Sequence, residues 1–174
     1  MSSETPLSIS DAVALLTASA AALRAEVGGL PERLARWHPA PGEWCANEVV
    51  GHLIEAERRG FAGRIRTILD ADDPPLTAWD QAQVARDRGD CARRPAELLQ
   101  EFALLRQASI DQLVMLGKDD LGRRGRHPHV GSLGVGELLH EWVHHDRNHL
   151  RQILANVQAF VWSGMGNAQK FSLP

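Results

Sequence analysis

Between its proline and glycine clusters the chain carries four long stretches with apolar residues at helical spacing, and no stretch keeps the sustained alternation of a half-buried strand. That pattern confines the fold to the all-α class. The first stretch predicts a helix from Ser8 or Ser10 to Val27, stopped by Gly28, Gly29 and Pro31. The second predicts one helix from near Cys45, after the PAPGEW loop, to Asp70, where DADDPP breaks it. The third begins at Pro95, a residue suited to the first helical position, and ends near Gly117. The fourth runs from Gly134 to Trp162, with Glu137 placed as the acid of a capping box. Four amphipathic helices of this length pack most simply as a four-helix bundle. The Ala71–Arg94 connection is long for a bundle and is expected to cross over one end.

Length and composition narrow the function classes. At 174 residues, positions 1–174 are expected to form a single domain. Hydrophobic residues at 44% exclude disorder, and a net charge of −3 argues against a nucleic-acid partner. Cys45 and Cys91 are too few for a disulfide framework and too far apart in sequence for a CxxC motif, which fits a reduced, cytoplasmic protein. The N-terminal MSSETPLSISD has an acid where a leader needs bases, and no apolar run reaches about 18 residues, so neither a signal peptide nor a membrane span is expected.

Eight histidines are many for such a chain, at 38, 52, 127, 129, 140, 144, 145 and 149. Three fall in EWVHHDRNHLRQI; His145 and His149 within it, and His144 with the His140 that precedes it, are each one helical turn apart, the spacing at which two imidazoles reach one metal ion. Direction separates the pairs. At about 100° per residue, Leu139, Trp142, Val143, Leu150, Ile153, Leu154, Val157 and Val161 form the apolar stripe. His149 lies within that stripe and His145 at its edge, whereas His140 and His144 project with Arg147, Asn148 and Arg151 toward solvent. The competing reading is a pair of ordinary buried histidines satisfied by hydrogen bonds.

HDRNH differs from the HExxH helix of zinc proteases, because no His, Asp, Glu or Cys follows His149 to serve as a downstream ligand. A third ligand must come from upstream, and His52 is the strongest candidate, on a long helix able to face the fourth. Val49, Ala56, Gly60 and Gly63 form a small-residue strip near His52, while Val50, Ile54, Phe61 and Ile65 serve the core. His127 and His129 are the next candidates, expected exposed in a Gly- and Arg-rich loop; His38 has no supporting pattern. Asp146 points into the stripe and reads as a buried orienting acid, and Glu57 as a second carboxylate able to support the ligands. Glu55 is expected in solvent, paired with Arg59. Trp37, Trp44, Trp142 and Trp162 suit core packing, and Trp79 in the crossover is expected to pack on something. Three neutral imidazoles leave coordination positions open for water or a thiolate, the mark of a catalytic rather than a closed site.

GEWCANEVVGHLIEAE, followed about ninety residues later by LLHEWVHHDRNHLRQI, resembles the DinB/YfiT-like superfamily of metal-dependent proteins. The likeness extends through PPLTAWDQ and GRHPHVGSLGVGELL. It implies a four-helix bundle, commonly a homodimer, with one divalent ion held by three histidines that match His52, His145 and His149. Cys45 and Gly134 stand where the family often has Ser or Thr, which weakens two helix caps without touching the ligands. The activity implied is transfer of a low-molecular-weight thiol to a small electrophile, or hydrolysis of a small substrate. The alternative is a non-catalytic, metal-stabilised binding or stress-response module. Zn or Ni are the foremost candidates for the ion, with Fe, Cu or Co also suited to three imidazoles.

Overall fold

The computed structural model describes residues 7–172. The Met1–Pro6 part of the N-terminal stretch read against a leader lies outside them. Four rods form the bundle: α1 (Ile9–Gly28), the run α3 (Ala46–Glu55) to α4 (Ala62–Asp70), α6 (Pro95–Val114) and α7 (Val135–Trp162). Short helices α2 (Glu32–Ala35) and α5 (Gln81–Arg88) lie in the connections. Helices α6 and α7 each pack against both α1 and α3. No helix is long and apolar enough to cross a membrane among the described residues.

The helix ends follow from local chemistry. Ser8 Oγ accepts the Asp11 N–H at 3.1 Å, and the Asp11 carboxylate accepts the Ser8 N–H, a reciprocal cap on α1. At α3 and α7 only the acidic half of the box remains: Glu48 accepts the Cys45 N–H at 2.9 Å and Glu137 the Gly134 N–H at 2.8 Å. Pro95 opens α6 as expected.

The expected single helix from Cys45 to Asp70 is interrupted. Residues Ala56–Gly60 form a π-helical turn, closed by the Phe61 N–H donating to Ala56 O at 2.8 Å. Gly63 makes this geometry possible, since a Cβ there would sit 2.3 Å from the Arg58 carbonyl oxygen. A second departure is a hairpin, β1 (Arg124–His127) with β2 (Gly131–Gly134), where no strand was expected. Its four-residue strands are made of Gly, Arg, Ser and His with one Leu, too short and too polar to show alternation.

A polar layer divides the core in two. One cluster gathers Leu16, Ile65, Ile68, Leu113, Leu138, Leu139 and Trp142; the other gathers Leu23, Val50, Ile54, Leu98, Phe102 and Ile153. Between them lie Ser19, Glu57, Arg106 and Asp146, one from each rod and all buried. Arg106 donates to Glu57 Oε1 through Nε at 3.0 Å, to both Asp146 oxygens at 2.7 and 3.1 Å, and to Leu16 O at 2.9 Å. Trp142 Nε1 donates to the same Glu57 oxygen at 3.1 Å.

The crossover is bolted to α3 by charge. Glu55, expected in solvent, is 2% exposed and pairs with Arg58 and Arg88 as well as with Arg59. The wheel put Glu55 outside because it could not see α5 and Asp90 covering that face. Gly51 permits the close approach: a Cβ would fall 1.8 Å from Asp90 Oδ2, and Asp90 is held by Arg88 and Arg93.

Candidate metal centre

His52, His145 and His149 converge from α3 and α7, with one ring nitrogen of each within 4.8 Å of the others. His52 Nε2 lies 2.9 Å from His145 Nε2. Two nitrogens bound to one ion at about 2.1 Å stand about 3.0 Å apart at a right angle and about 3.4 Å at a tetrahedral one, so this pair needs little movement to share an ion. On His149, Nδ1 bonds the Gln152 amide oxygen at 2.9 Å, which fixes the proton there and leaves the Nε2 lone pair free. His52 Nδ1 and His145 Nδ1 are buried without a partner. No carboxylate hydrogen-bonds any of the three rings among the described residues. The protein alone therefore does not satisfy this cluster, and three neutral nitrogen donors suit a borderline divalent ion.

Burial sets the protonation. It lowers His52 to about 3, with His149 adding repulsion, and His145 to about 2, with His149, His52 and Arg106 adding more. His149 is also lowered by burial, against the pull of Gln152 and Asp146. All three rings are neutral near pH 7, the state in which imidazole binds metal.

Aromatic rings wall the cluster. Trp44 packs 5.0 Å from the His52 ring and 6.5 Å from His149, and Trp79 stacks on His52 at 5.7 Å and 19°. Trp79 is the crossover tryptophan, and the histidine is what it packs on. Arg59 in turn lies over its ring at 5.5 Å. Trp142 is buried as expected and Trp37 packs edge-on against Phe160, but Trp162, the last residue of α7, is 40% exposed.

A cavity of about 590 Å³ opens beside His145, lined by Gly60, Phe61, Arg64, Trp79, His127 and Glu141 among others. Ala56 and Gly60 of the small-residue strip border it. His127, expected exposed, is half-buried on this wall because the hairpin folds it back, and Arg64 Nη2 donates to its Nε2 at 3.1 Å. His129 is exposed, as are His140 and His144. Glu57 and Asp146 bond Arg106 rather than a histidine; burial pushes both carboxyls up, opposed by Arg106.

Arg64, Trp79 and Gln152 were not singled out as site residues from sequence. Gln152 had a signal, standing three residues after His149 and so on the same face. Arg106 had one too, in the stripe Leu98, Phe102, Arg106, Ser109, Leu113, where a guanidinium demands buried partners.

The chain matches the DinB superfamily over residues 7–153. YfiT from Bacillus subtilis superimposes with a TM-score of 0.83 at 18% identity, covering 93% of each chain; that protein is described as "a probable metal-dependent hydrolase with an unusual four-helix bundle topology". TT2238, described as a four-helix bundle protein, superimposes with a TM-score of 0.60 at 18% identity over 85% of this chain and 99% of its own. No curated protein matches the chain significantly. The extent of the family match, with the bundle seen in both solved structures, establishes that the chain belongs to the DinB superfamily.

Proposed function

We propose that this protein is a divalent-metal-dependent hydrolase of small molecules, with His52, His145 and His149 as the ligands. The observation that carries the reading is the convergence of three neutral imidazoles at the edge of a closed aromatic wall, with His145 opening onto a cavity of about 590 Å³. The description of YfiT supports the same class of reaction. A bound divalent ion supplies an acidified water and polarises a substrate oxygen.

The chain's own residues do the rest. Gln152 orients His149, and the Trp44 and Trp79 rings keep solvent from the His52 side. Arg64 lines the cavity, where its guanidinium is the cation able to pair with a substrate carbonyl or carboxylate. His127, lowered by burial and by Arg64, stays neutral beside it. Phe61 and Trp79 supply apolar walls for the body of a small substrate.

The test is a screen of the Zn(II)- and Ni(II)-loaded protein against chromogenic esters and amides, with a parallel arm of a low-molecular-weight thiol plus an alkylating electrophile. Turnover of an ester or amide that disappears in His145→Ala/His149→Ala supports hydrolysis. Turnover only in the thiol arm replaces it with group transfer. No turnover in either arm, with chelation unfolding the bundle, assigns the ion a structural role and overturns the reading.

A further inference from the structure

The two cysteines, far apart in sequence, meet in the fold. Cys45 and Cys91 join His38 and Glu48 so that one donor atom from each of the four lies within 4.8 Å of every other. They come from separate places: His38 from the loop after α2, Cys45 and Glu48 from the start of α3, and Cys91 from the 3₁₀ turn Asp90–Ala92. His38 Nε2 is 2.9 Å from Glu48 Oε2, a separation that two donors on one ion also adopt.

Neighbours that are not donors hold this arrangement in place. Asn47, fully buried, donates to Cys91 O at 3.3 Å and Arg93 O at 2.9 Å, which seats the turn on α3. Asp90, beside Cys91, is gripped by Arg88 and Arg93. Trp37, beside His38, is pinned against Phe160 with ring centroids 5.4 Å apart. Donors seated by independent contacts are what a preorganised centre requires.

We infer that His38, Cys45, Glu48 and Cys91 form a second metal centre, closed by four protein ligands and suited to a thiophilic divalent ion such as zinc. Two sulfurs, an imidazole and a carboxylate complete a tetrahedral shell and leave no position for substrate, which makes the centre structural. On binding, both thiol protons go to solvent and the His38 proton resides on Nδ1, leaving Nε2 to the ion. The helix N-terminus at Cys45 favours negative charge there, but burial and the neighbouring Cys91 and Glu48 push its thiol up, so the thiolate forms only as the ion displaces the proton. A cavity of about 810 Å³ reaches His38 and Glu48 from outside and gives an ion its way in. The centre would clip the loop and the crossover to the helix that carries His52.

Cobalt(II) is the probe, used on the reduced full-length chain carrying His145→Ala/His149→Ala. A thiolate-to-cobalt charge-transfer band saturating at about one equivalent per chain, and bleached by Zn(II), is the expected result. Only a Co–S bond produces that band, so its outcome is independent of the three-histidine centre. Cys91→Ser, at a half-buried position, should abolish the band and weaken Zn(II) binding at least about a hundredfold, more than loss of a merely supporting residue would. Glu48→Gln should weaken Zn(II) binding while keeping the band. Absence of the band with both thiols titrating as free overturns the proposal. So does unchanged Zn(II) binding in Cys91→Ser, or a Cys45–Cys91 disulfide that after reduction still takes up no metal.

Discussion

His52 Nε2 and His145 Nε2 stand 2.9 Å apart across the α3–α7 interface, two neutral ring nitrogens pressed together inside the protein with no carboxylate among the described residues bound to either. A single shared proton can bridge them, and a divalent ion can replace it with a third ligand at hand in His149. His149→Ala should therefore lose one equivalent of bound divalent metal relative to the parent, while exposed His144→Ala loses none. Elemental analysis of untagged protein measures both, and equal loss in the two variants would refute the assignment.

The depressed histidines give the metal-free chain a pH dependence of known sign. Below about pH 6.5 the unfolded chain takes up protons at His52 and His145 that the folded chain refuses until pH nears 3 and 2. Stability is thus lost as pH falls through that window, each ring contributing a slope of up to about 1.4 kcal/mol per pH unit. Glu57 and Asp146, raised in the fold, oppose the loss, so the clean readout is a difference. Urea unfolding with chelator should show a shallower fall in His145→Asn than in the parent.

Arg106 is the sole described cation bonded to the buried carboxylates of Glu57 and Asp146. Arg106→Met should destabilise the bundle by about 3–5 kcal/mol, because it strands two acids in the core. The triple replacement Arg106→Met/Glu57→Leu/Asp146→Leu should recover most of that loss. Thermal or urea denaturation distinguishes the two, and equal stability would mean the layer contributes little.

Gly63→Ala drives a methyl into the Arg58 carbonyl, which the π turn brings within 2.3 Å of the Cβ position. The expected cost is about 1–3 kcal/mol, the range of overpacked sites. Gly122→Ala, in open space, should be close to neutral in the same denaturation assay.

Much of this site was legible before the fold was known. The apolar stripe of α7 separated His145 and His149 from His140 and His144, and the small residues around His52 marked the facing helix. These signals are local, set by one helix and its period. What escaped depends on contacts between distant segments: the burial of Glu55 under α5, the return of His127 by the hairpin, and the meeting of Cys45 with Cys91. Glu57 and Asp146 were read correctly as inward acids, but their partner is on a third helix, and only the odd placement of Arg106 in its own stripe hinted at it.

The π turn at Ala56–Gly60 also bears on how this chain tolerates insertion and deletion. It holds one residue more than a regular turn, so the residues beyond it sit about 100° from where an unbroken α-helix through all of them would place them. Were the rod, at its present length, to wind as an unbroken α-helix, His52 would keep its aim while Phe61, Ile65 and Ile68 turned away from the core they fill. The metal-facing and core-facing halves of this rod are thus phased by a single extra residue: deleting one within the turn would leave their phase intact, whereas inserting one in the regular helix on either side would turn one half against the other.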